Sequence, residues 1–244
     1  IAGCAAALAS QTGSIGYLGP LINFETRRLV ASAYLGASYC WENYRGGDPA
    51  ELVFEVQWIG FWFNIPGVTQ DPTLVVNNFI DNGADVIMSG IDTTEAIDVS
   101  GQRAAQGDVV WAVPYDFAGA CEQSPDVCLG VPYFNWGPAY LDTALAVQDG
   151  TWVQSWDWNA PNWADLTDNT TTAAGWVNGP ALTPEMQANL DLFIAGLSTG
   201  EINVWTGPIN LWDGTPYIAE GAVATDAEIW YLPALLEGMI GPSE

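Results

Sequence analysis

From Ser14 to Phe134 the chain alternates short runs of strand character with longer runs of helical spacing, and this constrains the fold more than any other feature. Ser14–Leu18 (SIGYL) is an apolar run stopped by Gly19-Pro20. Glu25–Tyr44 follows, with Leu29, Val30, Ala33, Tyr34, Ala37 and Cys40 on one helical face. Leu52–Ile59 (LVFEVQWI) alternates and is rich in β-formers. Asp71-Pro72 is a helix start, an N-cap followed by proline at the first position, and Asn82-Gly83 is the matching stop. Ala84–Ser89 is continuously apolar, as central parallel strands are. Asp92, Thr93 and Thr94 offer caps for a helix ending near Gly107, and strands are expected over Val109–Tyr115 and Gly130–Phe134. Such alternation predicts an α/β fold with a parallel, doubly wound sheet, in the order 2-1-3-4-5.

The second half reads differently. A helix is expected over Pro138–Gly150, then a long irregular region over 151–180, dense in Trp, Asn, Asp and Thr. Thr183-Pro184-Glu185 caps a helix to about Thr199, and a last helix is expected from Asp226 to Met239. Gly207-Pro208 and Trp212-Asp213-Gly214 mark turns between them. Neither an internal repeat nor a low-complexity tract interrupts the 244 residues.

Composition then excludes chemistry. The chain holds no His, and its Lys and Arg together number 4, all arginine: Arg27, Arg28, Arg45 and Arg103. A His-based nucleophile system cannot be built, nor a His-bearing zinc site, a Schiff base or a P-loop lysine. Carboxylate-only catalysis survives this filter. A net charge of −25 repels phosphate backbones and anionic headgroups, which argues against nucleic acid or a lipid surface as partner. Asp plus Glu total only 29, so the acidity comes from missing bases rather than from added acids. No metal or redox cofactor is expected.

Cys121 and Cys128 flank a loop containing Pro, Ser and Asp and are expected to form a disulfide in an oxidising compartment. Cys4 and Cys40 lie in Ala-rich helical stretches and read as unpaired, buried small hydrophobes. Ile1-Ala2-Gly3-Cys4 has the letters of a lipidation box, but such a box follows basic and apolar segments, and a helix over 1–10 explains the same residues.

Several segments, in order, resemble the basic membrane protein (PnrA-like) family of ABC-transporter substrate-binding lipoproteins. They are Leu8–Gly19 (LASQTGSIGYLG), Asn78–Ile87 (NFIDNGADVI), Asn135–Trp152 (NWGPAYLDTALAVQDGTW), Gly200–Gly214 (GEINVWTGPINLWDG) and the terminal LLEGMIG. The resemblance implies a type I periplasmic-binding-protein-like fold of two lobes. Residues 1–130 correspond to lobe two, and residues 131–244 to the crossover and the C-terminal part of lobe one. The family carries a further N-terminal segment, so the first lobe is expected to be incomplete here. The family is also rich in lysine, which this chain lacks. Implied with the fold are an extracytoplasmic location, an ABC permease as partner, a purine-like nucleobase or nucleoside as ligand, and a lipid anchor on a segment outside this chain.

In open parallel sheets ligands sit beyond the carboxyl ends of the strands. The loops there carry Asn23 and Phe24, then Trp62, then Asp92 and Thr93, then Asp116 and Phe117. Rings to stack on, beside edge donors and acceptors, suit a flat heteroaromatic ligand. Trp62 is read as the stacking residue or a core aromatic, and Asp92 as an acceptor for ring N–H groups or a helix cap. Asp116 matches an Asp that the family places in the same loop; its alternative is a solvated turn carboxylate. Asn135 and Trp136, at the crossover, are read as ligand contacts or as the hinge. Two other functions fit parts of the sequence. One is a glycoside hydrolase drawing carboxylates from Asp157, Asp165 and Asp168; the other is a self-associating structural surface protein.

Overall fold

The computed structural model describes residues 1–243. Its centre is a parallel sheet built from β1 (Ser14–Gly19), β2 (Val53–Trp58), β3 (Val86–Ser89) and β4 (Trp111–Val113), joined at the far edge by the short β9 (Met239–Ile240). The order is β4-β3-β1-β2-β9, with Ile15 paired to both Phe54 and Val86. The first four expected strands therefore lie in the expected order. The fifth, β5 (Gly130–Phe134), does not complete a ladder with β4. It meets that edge through single bridges, Ala112 to Cys128 and Asp116 to Tyr133. It pairs instead antiparallel with β6 (Ala174–Asn178), a strand inside the region read as irregular. Five residues carrying one buried aromatic, Trp176, give too short a pattern to separate a strand from the surrounding loop.

Helices α2 (Phe24–Arg45), α3 (Pro72–Asp81) and α4 (Glu95–Gln106) connect the parallel strands. Their ends follow local rules. Asn23 and Thr26 form a reciprocal capping box, Asp71 caps α3 ahead of Pro72, and Gly46 and Gly107 close α2 and α4 in the left-handed conformation. Two further helices follow in the second half, α5 (Gly137–Gln148) and α6 (Pro184–Thr199), and then a short antiparallel pair, β7 (Ile209–Asn210) and β8 (Pro216–Ile218). The last helix, α7 (Asp226–Trp230), ends well short of the expected Met239. Pro233 cannot continue it, and Met239–Ile240 is drawn into pairing with β2.

Helix α1 (Ala2–Ala9) is apolar all round and buried from Gly3 to Ala9, as such helices must be. It lies against α2 at backbone distance: a Cβ on Gly3 would meet the Ala33 carbonyl oxygen at 1.8 Å. That approach overturns the reading of Cys4 and Cys40 as unpaired. They form a disulfide with Cα atoms 5.2 Å apart, because small residues on both helices bring the two cysteines together. Cys121 and Cys128 are also bridged, as expected.

The turn between α1 and β1 is organised by the buried Asp85, just ahead of β3. Its carboxylate accepts from Ser10 Oγ at 2.6 Å, Gln11 N at 2.6 Å and Thr12 N at 2.9 Å. The C-terminal part of the chain shares this core: Trp176, Leu190, Phe193 and Leu235 pack in one cluster with Cys4, Val30 and Phe54. The exception is α5, which buries none of its residues and leaves Tyr140, Leu141, Leu145 and Val147 exposed.

Candidate ligand-binding site

The carboxyl ends of β1 to β4 gather most of the expected residues onto one edge, and hydrogen bonds tie the loops together. The Asp92 amide donates to the Trp62 carbonyl at 2.8 Å, joining the loops after β3 and β2. Trp62 itself is half-buried. Thr94 stands at the N-cap of α4 without capping through its side chain, which donates to Asp98 instead. Thr93 donates to the Glu95 carboxylate. Asp92 is therefore not the cap: among the described residues its partly exposed carboxylate has no hydrogen-bond partner.

Asp116 is the one non-glycine residue described with a positive φ, at 66°. Aspartate tolerates that conformation better than most residues. Its amide donates to the Pro132 carbonyl at 3.0 Å, and the Phe134 backbone N–H interacts with its carboxylate. Burial raises the Asp116 carboxyl above its ordinary range. Asp92 is raised as well, first by burial and then by the charges of Asp116 and Glu25. Mutually repelling, partly desolvated carboxylates at one strand edge are a costly arrangement that a donor-rich ligand relieves.

The other expected residues divide. Asn23 spends its side-chain oxygen on capping α2. Phe24 is 46% exposed, edge-on to Tyr231 and under the Arg27 guanidinium. Phe117 projects outward, 66% exposed. The Asn135 amide donates to the carbonyls of Asn169 and Thr172, both at 2.7 Å, so it fastens the end of β5 to a neighbouring loop. Trp136 stacks on Tyr140 with ring centroids 6.0 Å apart.

Three residues were given no individual role in the sequence reading. Tyr115 lies where the charges of Asp92, Asp116 and Glu25 converge, and its hydroxyl is pushed well up, first by burial. Glu25 sits in the first turn of α2. Arg28 lies over the Trp230 ring at 4.0 Å, and burial lowers its guanidinium against the pull of Glu25. Trp230 in turn meets Trp156 and Trp158 edge-on, at 5.4 and 5.2 Å. The signal for Glu25 and Arg28 was positional, since the first turns of a helix that follows a strand face the same edge as the strand's loop. Nothing in sequence spacing links Trp230 to Trp156.

An open parallel sheet with its polar and aromatic loops at one edge defines a class, and solved structures place the chain in it by fold. It superposes on an ABC-transporter solute-binding protein from Aeropyrum pernix K1 with a TM-score of 0.60 at 11% identity, covering 97% of this chain and 70% of the other. A solute-binding protein from Conexibacter woesei DSM 14684 gives 0.53 at 17% identity, covering 82% and 60%. A transcriptional activator of the comK gene from Bacillus halodurans gives 0.55 at 15%, covering 82% and 61%, so the fold also serves another role.

By sequence, the chain is 30% identical over 226 residues, 93% of its length, to a purine-binding protein of Brucella abortus (strain 2308). It spans 57% of that relative's length. No family model matches the chain.

Proposed function

We propose that this chain is the ligand-holding part of an extracytoplasmic substrate-binding protein that delivers a purine-like nucleobase or nucleoside to an ABC permease. The observation that carries the reading is the 30% identity to a purine-binding protein over nearly the whole chain. The strand-edge chemistry supports it. Asp92 and Asp116 are raised carboxylates ready to accept ring or exocyclic N–H groups, Trp62 offers a ring in the adjoining loop, and Thr93 and Phe117 flank them. Asn135 and Trp136 act at the hinge rather than on the ligand, residues 1–130 form lobe two and supply the ligand edge, and residues 131–244 supply the crossover and the C-terminal part of lobe one. The protein binds and releases without turnover. No helix among the described residues is long and apolar enough to cross a membrane.

Calorimetric titration with adenine, adenosine and guanosine tests the proposal. Saturable binding of at least one of them is expected. Binding of a sugar or an amino acid with none of these overturns the ligand class.

A further inference from the structure

Beside the loop edge, a cavity of about 260 Å³ runs between the sheet and α2. Its walls include Tyr17, Met88, Val113, Tyr115 and Trp176, with Ser32 on the α2 side. Most of this surface is apolar. The Ser32 hydroxyl is already engaged by the Trp205 indole N–H at 3.1 Å.

The Ser89 hydroxyl is likewise engaged with the Ile91 backbone and the Tyr133 hydroxyl donates to the Leu166 carbonyl at 2.9 Å, which leaves two open phenol hydroxyls on the wall. Tyr17 is 5% exposed, and its hydroxyl makes no hydrogen bond with another described residue. Its position is fixed, since the ring packs on Phe54 with centroids 6.2 Å apart. The hydroxyl also lies so close to Gly90 that a Cβ there would come within 2.6 Å of it. The Tyr115 hydroxyl has no protein partner among the described residues either, and its ring stands edge-on to Phe134 at 6.1 Å. The two phenols are close enough that ionising one raises the other. Neither hydroxyl is among the sealed, unpartnered polar atoms, so both are reachable from the cavity, and an open pair of phenols on a mostly apolar wall points to a ligand with polar edge atoms.

We infer that this cavity is an inner compartment of the ligand site, taking a flat, uncharged heteroaromatic ring whose edge heteroatoms pair with the Tyr17 and Tyr115 hydroxyls. Its volume lies just below the ~300–1,000 Å³ of pockets for drug-sized ligands, which suits a free base better than a nucleoside. Tyr115 joins the compartment to the acidic edge, because it lines the cavity and feels the charges of Asp116, Glu25 and Asp92. The inference rests on the purine-like reading above for its choice of probe.

The test is titration of adenine and of adenosine into the unmodified chain and into four variants: Tyr17→Phe, Tyr115→Phe, Ala174→Leu and Asp116→Asn. Each lost phenol hydrogen bond should weaken adenine about five- to tenfold. Ala174→Leu adds bulk to the cavity wall and should abolish adenine binding while thermal unfolding shows a folded protein. Adenine affinity unchanged in Tyr17→Phe and in Ala174→Leu, but lost in Asp116→Asn, overturns the inner compartment and leaves the purine reading standing. Binding of neither ligand to the unmodified chain overturns both.

Discussion

Replacing Asp85 with alanine should cost about 3 kcal/mol of stability. Its carboxylate holds Ser10 Oγ, Gln11 N and Thr12 N, all within 2.9 Å. A hydrogen bond to a charged group is worth ~1.5–3 kcal/mol, so a naive sum exceeds 5 kcal/mol. Two of the three donors do not support that sum. Gln11 and Thr12 are exposed, and water replaces their lost acceptor, leaving about 0.5–1 kcal/mol each. Ser10 is 0% exposed, and its hydroxyl also accepts from Gly13 N at 2.9 Å. Stranding that hydroxyl donor costs about 2 kcal/mol, and the relief from desolvating Asp85 offsets part of the total. Urea unfolding with an unchanged slope measures the loss, and at ~2–4 °C per kcal/mol the melting temperature should fall by roughly 6–12 °C. Asp85→Asn keeps one acceptor and should fall between. The turn lies at the amino end of the sheet, so affinity per folded molecule should not change. A loss under about 1 kcal/mol would refute the claim that this carboxylate organises the turn.

Two further outcomes are expected. The Cys4–Cys40 and Cys121–Cys128 bridges close loops of 36 and 7 residues in sequence separation. On the chain-entropy model, paired Cys→Ala variants should lose about 4 and about 2.5 kcal/mol, and denaturation showing the reverse order would contradict that account. Asp168 is held at about 2, below its ordinary 3.8, chiefly by the Thr170 hydroxyl and then by Thr171. The folded form therefore binds this proton more weakly than the unfolded form. The contribution is intact above pH ~4 and is lost as the pH falls through the window to about 2. Proteolytic susceptibility of the 165–172 loop should rise across that window, and a flat profile would count against it.

Much of the parallel sheet and its helices was legible because their signals are local. The Asp71-Pro72 start, the Gly107 stop and the continuously apolar β3 each follow from residues within one turn or one strand, and they fixed the β2-β1-β3-β4 order. What failed depended on distant partners. Cys4 meets Cys40 only because Gly3 and Ala33 let two helices touch. The helix expected after Asp226 stops because of Pro233 and a strand pairing with β2, some 180 residues earlier in the chain. Strand-edge logic put Trp62, Asp92 and Asp116 in loops at one edge of the sheet, where the structure has them. It could not foresee that Asn23 would be used as a cap, or that Tyr17 and Tyr115 would turn their hydroxyls into one cavity, since both facts depend on side-chain direction.

The two carboxylates proposed for the site can be told from structural ones by the sign of their effect on stability. Asp85 is embraced by donors, and removing it should weaken the fold. Asp92 and Asp116 are raised by burial, and Asp92 also by its acidic neighbours, so the folded state binds their protons more tightly than the unfolded chain does. Linkage then requires stability to fall as pH rises from about 3.8 through the raised values, so ionising either group costs stability. Asp92→Asn and Asp116→Asn remove that cost, and asparagine accepts the positive φ at 116. Each should leave stability unchanged or raise it by at most ~1 kcal/mol, because both positions are partly exposed and screened. Each should also weaken a donor-rich ligand about tenfold to a hundredfold, the worth of one charge-assisted hydrogen bond. Thermal unfolding and titration on the same samples read both signs. Destabilisation by either substitution, with ligand affinity intact, would assign these carboxylates to the scaffold and remove them from the site.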